Sequence, residues 1–115
     1  MTMLEVLYLE ENNLNGTLPT TLGKLDFVAY LSLNANHLTG TIPTEVGMML
    51  DLQTLLLNSN QLTGTVPSEI GRLARLTTLN CGNNTLTGTI PVSFSNLQTL
   101  GTWIILSFLV DRTFV

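Results

Sequence analysis

The four prolines of this 115-residue chain, Pro19, Pro43, Pro67 and Pro91, stand 24 residues apart. Gly16, Gly40, Gly64 and Gly88 keep the same step, as do Asn12, Asn36, Asn60 and Asn84. The stretch Leu62-Thr63-Gly64-Thr65-Val66-Pro67 recurs as Leu38-Thr39-Gly40-Thr41-Ile42-Pro43 and Leu86-Thr87-Gly88-Thr89-Ile90-Pro91, with a drifted copy at Leu14-Asn15-Gly16-Thr17-Leu18-Pro19. A fixed period of this size marks a supersecondary unit too small to bury its own apolar face, which it must therefore lay against its copies. The expectation is a stack of coils in which residues one period apart become neighbours in space.

On that period the units run 4–27, 28–51, 52–75 and 76–99, with an incomplete fifth over 100–115. Each opens on an apolar-x-x-apolar-x-apolar-x-x-Asn pattern: Leu4, Leu7, Leu9 and Asn12, then Val28, Leu31, Leu33 and Asn36. Leu52, Leu55, Leu57 and Asn60 follow, then Leu76, Leu79, Cys81 and Asn84. Alternation over the third to seventh positions predicts a short half-buried strand. Stacked strands with long return connections pair in parallel. The Asn column ends each strand, where a buried amide, both donor and acceptor, can satisfy backbone groups of its own turn and the next and build an Asn ladder. Gly then gives an unusual dihedral or close approach, and Pro directs the turn. After Pro, Leu22, Val46, Ile70 and Phe94, and then Leu25, Met49, Leu73 and Leu97, fit a short 3₁₀ turn on the outer side.

The consensus Leu-x-x-Leu-x-Leu-x-x-Asn-x-Leu-x-Gly-x-Ile-Pro-x-x-Leu-Gly-x-Leu-x-x resembles the plant-type leucine-rich repeat and covers 4–99. The resemblance implies an α/β fold: a right-handed leucine-rich repeat solenoid with a concave parallel sheet, short 3₁₀ turns on the convex side and a second short sheet near Leu-x-Gly. It also implies the company of receptor-like kinases, receptor-like proteins or secreted inhibitors of wall-degrading enzymes such as polygalacturonases. An extracellular or membrane-anchored parent follows from the resemblance, since the chain itself does not fix a compartment. Departures are the missing paired-cysteine cap and the decay of the pattern after Leu100, where Phe108 stands at the Asn position. The chain reads as a piece of a longer array whose two apolar coil ends invite self-association.

Composition removes other classes. A net charge of −4 with four scattered basic residues does not suit a phosphate backbone, so no nucleic-acid role is expected. One cysteine, Cys81, forms no intrachain disulfide or cysteine metal site and reads as a small buried hydrophobe in a leucine slot. The start, Met1 to Glu5, carries no signal-peptide pattern, and the apolar run from Trp103 to Val110 is too short to span a bilayer. His37 is the single histidine and Glu10 and Glu11 are adjacent, so neither a nucleophilic triad nor a carboxylate pair across a cleft is expected. No enzyme, metal or cofactor is predicted.

Surface remains. Outward strand positions form columns across the predicted sheet, facing solvent because their neighbours face the core. The candidate contact residues for a protein or peptide partner are Tyr8, Glu10, Tyr30, Ser32, Asn34, Thr54, Leu56, Asn58, Thr78 and Asn80. Tyr8, Tyr30 and Leu56 supply anchors, and the amides and hydroxyls orient a ligand. A further column of Glu11, Ala35, Ser59 and Asn83 is read as outward too. The alternative is a purely structural segment whose sheet is plain soluble surface. A third reading takes the pairs Thr39/Thr41, Thr63/Thr65 and Thr87/Thr89 as an ice-binding flank, provided each pair is locally extended. Asn15-Gly-Thr17 and Asn83-Asn-Thr85 match the N-glycosylation acceptor pattern.

Overall fold

A computed structural model describes residues 3–96 and 102–104. Nine strands alternate between two positions in the coil: β1 (Val6–Tyr8), β2 (Asn15–Thr17), β3 (Tyr30–Ser32), β4 (His37–Thr41), β5 (Thr54–Leu56), β6 (Gln61–Gly64), β7 (Thr78–Asn80), β8 (Thr85–Leu86) and β9 (Thr102–Ile104). The odd-numbered strands make one parallel sheet in the order β1-β3-β5-β7-β9. Its register follows the sequence period, with Leu7 beside Leu31, Leu31 beside Leu55, and Leu55 beside Leu79. The regular strands are three residues long, shorter than the five-residue alternation suggests. Isolated ladder bonds carry the pairing further, as from Leu33 N–H to Leu56 O at 2.9 Å and from Ala35 N–H to Asn58 O at 3.0 Å.

The even-numbered strands form a second parallel sheet along one flank, β2-β4-β6-β8. Here the register steps by 22 residues, pairing Thr17 with Thr39 and Thr41 with Thr63. This two-residue stagger sets each threonine methyl over a glycine of the following coil. A Cβ at Gly40, Gly64 or Gly88 would lie 2.9 Å from Cγ2 of Thr17, Thr41 or Thr65 respectively. These glycines also hold φ of +75°, +80° and +86°, which L side chains avoid. Leu-x-Gly is thus required twice over, by dihedral and by contact.

Each return to the next coil passes through a 3₁₀ turn, at Thr20–Lys24, Thr44–Met48, Ser68–Arg72 and Val92–Asn96. Proline leads every one with its φ near the helical value, and its carbonyl accepts the first turn bond, as from Val46 N–H to Pro43 O at 3.1 Å. A glycine inside three of these turns lies under the next coil. An added Cβ at Gly23 or Gly47 would sit 2.7 or 2.5 Å from the carbonyl oxygen of Glu45 or Glu69.

The core is a continuous apolar column between the two sheets and the 3₁₀ turns. Leu31, Leu55, Leu79, Val28, Leu52, Leu76, Met49 and Leu73 are fully buried, as the period requires. Leu25 is only partly buried, and Leu97 lies outside the described residues. Burying a leucine side chain is worth about 1.5–3 kcal/mol, so the stacking of each coil rests on several such contributions.

The asparagine column locks the coils to one another through backbone. Asn36 Oδ1 accepts from the N–H groups of Asn12 and Leu14, both at 2.9 Å, and its Nδ2 donates to Leu9 O and Leu33 O at 2.9 and 3.0 Å. Asn60 reaches Leu38 N–H, Leu33 O and Leu57 O in the same manner, and Asn84 reaches Leu62 N–H, Leu57 O and Cys81 O. The expectation of bonds to the coil's own turn and the next therefore needs correcting: the partners belong to its own coil and the preceding one. The asparagines bond backbone groups, so the column is a ladder of clamps rather than of amides stacked on amides. Among the described residues no buried side-chain nitrogen or oxygen lacks a partner.

Candidate functional site

The inner face of the larger sheet carries the residues singled out from the sequence. In β1 and β3 the inward residues Leu7 and Leu31 force Val6, Tyr8 and Tyr30 outward. Tyr8 is 60 % exposed, and its ring meets the half-buried Tyr30 ring at 4.9 Å between centroids, tilted by 59°. Such a tilted pair holds both rings by edge-to-face contact and leaves ring surface open to a partner. Thr54, Leu56, Thr78 and Asn80 continue the two columns, half-buried beside their cross-strand neighbours.

Ser32 departs from its expected exposure, being only 2 % accessible. It stands in register between Tyr8 and Leu56, and its hydroxyl donates to Asn34 Oδ1 at 2.6 Å. A small side chain between two large ones becomes the floor of the face instead of part of its surface. Asn80 is likewise engaged, its Oδ1 accepting from Gly82 N–H at 3.0 Å. Glu10, Asn34 and Asn58 sit half-buried beyond the ends of β1, β3 and β5. The amides are therefore divided between structural and presenting roles, a division that residue type alone does not reveal.

The column Glu11, Ala35, Ser59 and Asn83 does not continue the strand. All four hold φ between +54° and +60°, so the chain has already entered a left-handed turn when it reaches them. They form a rim beside the face. Asn83 Nδ2 donates to Ser59 Oγ at 3.2 Å within this rim. Ala35 gives no hint of such a dihedral, because alanine rarely adopts it; stacking imposes it there.

The flank threonines are largely occupied by the fold. Thr39 and Thr87 hydroxyls donate to Gly16 O and Gly64 O at 3.4 Å, and Thr17, Thr41 and Thr65 cover glycines. The glycine inside each Thr-Gly-Thr takes a positive φ, outside the extended range on which alignment of the two threonines depends. Asn15 is exposed on β2, the outermost strand of that sheet, and Asn83 is exposed on the rim.

An open groove of about 620 Å³ lies elsewhere, between the flank strands and the 3₁₀ turns, with Thr41, Thr65, Pro67, Ser68, Glu69 and Thr89 on its walls. It offers no aromatic anchor and one charged side chain, so the chemistry of recognition favours the inner sheet. Cys81 is buried, and burial pushes its thiol up to about 12. Among the described residues no three His, Cys, Asp or Glu side chains could hold a metal, and no helix is long and apolar enough to cross a membrane.

The leucine-rich repeat family model matches residues 3–25, 51–73 and 75–97. Comparison with curated proteins gives no match. Among solved structures, the plant peptide hormone receptor RGFR1 in complex with RGF2 is 38% identical, with a TM-score of 0.85 over 95% of this chain and 17% of that one. The ectodomain of the Arabidopsis thaliana membrane receptor kinase GASSHO1/SCHENGEN3, in complex with CASPARIAN STRIP INTEGRITY FACTOR 2, is 39% identical with a TM-score of 0.87, over 92% of this chain and 13% of that one. In the Arabidopsis thaliana BIR3–SERK2 complex the values are 32% and 0.80, over 92% of this chain and 55% of that one. This chain thus spans only part of the length of each of these structures. The repeated consensus, the two parallel sheets stacked coil on coil and these matches agree: the chain belongs to the leucine-rich repeat family, in its plant-type form.

Proposed function

We propose that the chain is a recognition module that binds a peptide or a protein segment across the inner face of its larger sheet, within an extracellular or membrane-anchored parent. The observation that carries this reading is the exposed Tyr8 paired with the half-buried Tyr30 on a parallel sheet, beside Leu56 and the amides of Asn34 and Asn58. Aromatic side chains on a fixed backbone lose little entropy on binding, so contacts made there convert efficiently into affinity. The names of some similar structures support the same reading, as with the receptor kinase HAESA in complex with the peptide hormone IDA and the co-receptor SERK1. Binding requires no reaction, and none is assigned.

The test is selection from a random peptide library on the purified chain, followed by affinity measurement. Tyr8→Ala, Tyr30→Ala and Leu56→Ala together should weaken a selected peptide by at least about a hundredfold, since each anchor is worth on the order of 1–2 kcal/mol. Thr63→Ala on the flank should leave it unchanged. Affinity that survives the triple change would return the inner sheet to a purely structural role. A second contact, self-association at the first coil, is favoured by the exposure of Leu4 at 44 % just before β1 and of Val6 at 43 % within it, the strand at one edge of the sheet among the described residues. Its signature is a mass by light scattering that rises with concentration; a constant monomer mass removes it.

A further inference from the structure

The inner face is aromatic and acidic at one place, and among the described residues no cation lies on it. Tyr8 and Glu10 are two residues apart at the end of β1, and Glu11 follows on the rim, exposed. Neither the Glu10 nor the Glu11 carboxylate has a hydrogen bond or ion pair among the described residues. Among the described residues the basic side chains are all elsewhere. Lys24 and Arg72 belong to 3₁₀ turns on the outer side, His37 to the flank strand β4, and Arg75 pairs with Asp51 at 3.1 Å. Among the described residues no cation on the sheet therefore competes for these carboxylates or for the ring surface of Tyr8 that its tilted contact with Tyr30 leaves open.

We propose that the segment recognised by this face presents an arginine, whose guanidinium stacks on Tyr8 and bonds to Glu10. This rests on the recognition reading and names its ligand class. Charge complementarity selects a cation, since the chain carries net charge −4 and an anionic ligand would meet repulsion at the aromatic anchor. Geometry selects arginine over lysine. A planar guanidinium can lie flat on an aromatic ring while its edge donates two bonds to a carboxylate, whereas an ammonium is a hydrated point charge that cannot do both. The floor at Ser32 is closed, its hydroxyl committed to Asn34, so the cation rests on the ring and does not sink between the strands.

The same peptide selection decides the matter. The expected result is enrichment of arginine-containing peptides. Changing that arginine to lysine in a synthetic copy should weaken binding about threefold, and changing it to glutamine about tenfold or more. On the protein side Tyr8→Ala and Glu10→Gln should each cost roughly threefold to tenfold, and the penalty of Glu10→Gln should shrink at high salt because the pair is screened. Both positions are accessible, so unchanged melting temperatures would exclude misfolding as the cause. Enriched peptides without arginine, or arginine peptides indifferent to both substitutions, overturn this assignment and leave the recognition reading standing. Failure to enrich any peptide overturns the recognition reading itself.

Discussion

The first coil and the three that follow share a consensus but not an environment. Leu4 is 44 % exposed, while its equivalents Val28, Leu52 and Leu76 are completely buried. The Asn12 side chain bonds only its own coil, from Nδ2 to Glu10 O, whereas those of Asn36, Asn60 and Asn84 each clamp the coil before them. The convex glycine behaves oppositely: Gly23 of the first coil is covered by Glu45 just as Gly47 is covered by Glu69. Each unit is therefore completed from two directions, its glycine by the coil after it and its asparagine by the coil before it. The comparison teaches that stability here is a property of interfaces between coils, as expected of a one-dimensional stack.

The sharpest way to break that comparison is the asparagine pair. Asn60→Ala would strand Leu38 N–H in a dry interior and leave Leu33 O and Leu57 O with one amide donor each, from Asn36 and Asn84. The expected loss is on the order of 3 kcal/mol in urea unfolding, from roughly 1–3 kcal/mol for the unsatisfied N–H and about 0.5–1.5 kcal/mol for each carbonyl bond removed. Asn12→Ala should stay within about 0.5 kcal/mol, being exposed. Equal losses at the two sites would mean that asparagine acts on its own turn alone. The glycine pair comes next. Gly47→Ala drives a Cβ to 2.5 Å from Glu69 O and 2.8 Å from its carbonyl carbon, so backbone must move, at about 1–3 kcal/mol. Gly16→Ala meets nothing within 4 Å and suffers only the dihedral at φ +86°, about 1 kcal/mol.

Cys81 and Leu9 occupy the same place in their coils, and alkaline pH separates them. The Cys81 thiol is raised from 9.0 to about 12 by burial, so the folded protein holds a proton that the unfolded chain releases above pH 9.0. Its stabilising effect is complete below that pH and drains away as pH climbs toward the folded value. Above pH 9.0 the protein should lose up to about 1.4 kcal/mol per pH unit more than Cys81→Val, a difference read from parallel unfolding curves. In the half-buried first coil a Leu9→Cys thiol should react with an aromatic disulfide reagent far faster than Cys81. Equal rates would deny the difference between coils. The smallest effect belongs to the surface pair of Arg75 and Asp51, at 64 % and 37 % exposure. Arg75→Ala should shift stability by less than about 0.5 kcal/mol, and less still in high salt.

Much of this architecture is legible in the sequence. The period made Leu7, Leu31, Leu55 and Leu79 neighbours, and the parallel sheet follows it residue for residue. The 3₁₀ turn after each proline was also readable, since Pro fixes φ and supplies the first acceptor. The candidate face was readable as columns, though not as surface. Ser32 belongs to the right column yet lies beneath its neighbours, because accessibility depends on the sizes of Tyr8 and Leu56 on adjacent strands. Alternation does not report where a strand ends, so it carries the strand one residue too far, into the left-handed turn residues Glu11, Ala35, Ser59 and Asn83.

By itself the sequence determined the repeat, the strand faces and the identity of the core, because periodicity in one dimension is enough to decide which residues meet when copies stack. Only the tertiary structure decided the direction of the asparagine clamps, the two-residue stagger of the flank sheet and the floor at Ser32. Those depend on how one coil is offset against the next, and a strictly periodic pattern is the same whichever way that offset runs.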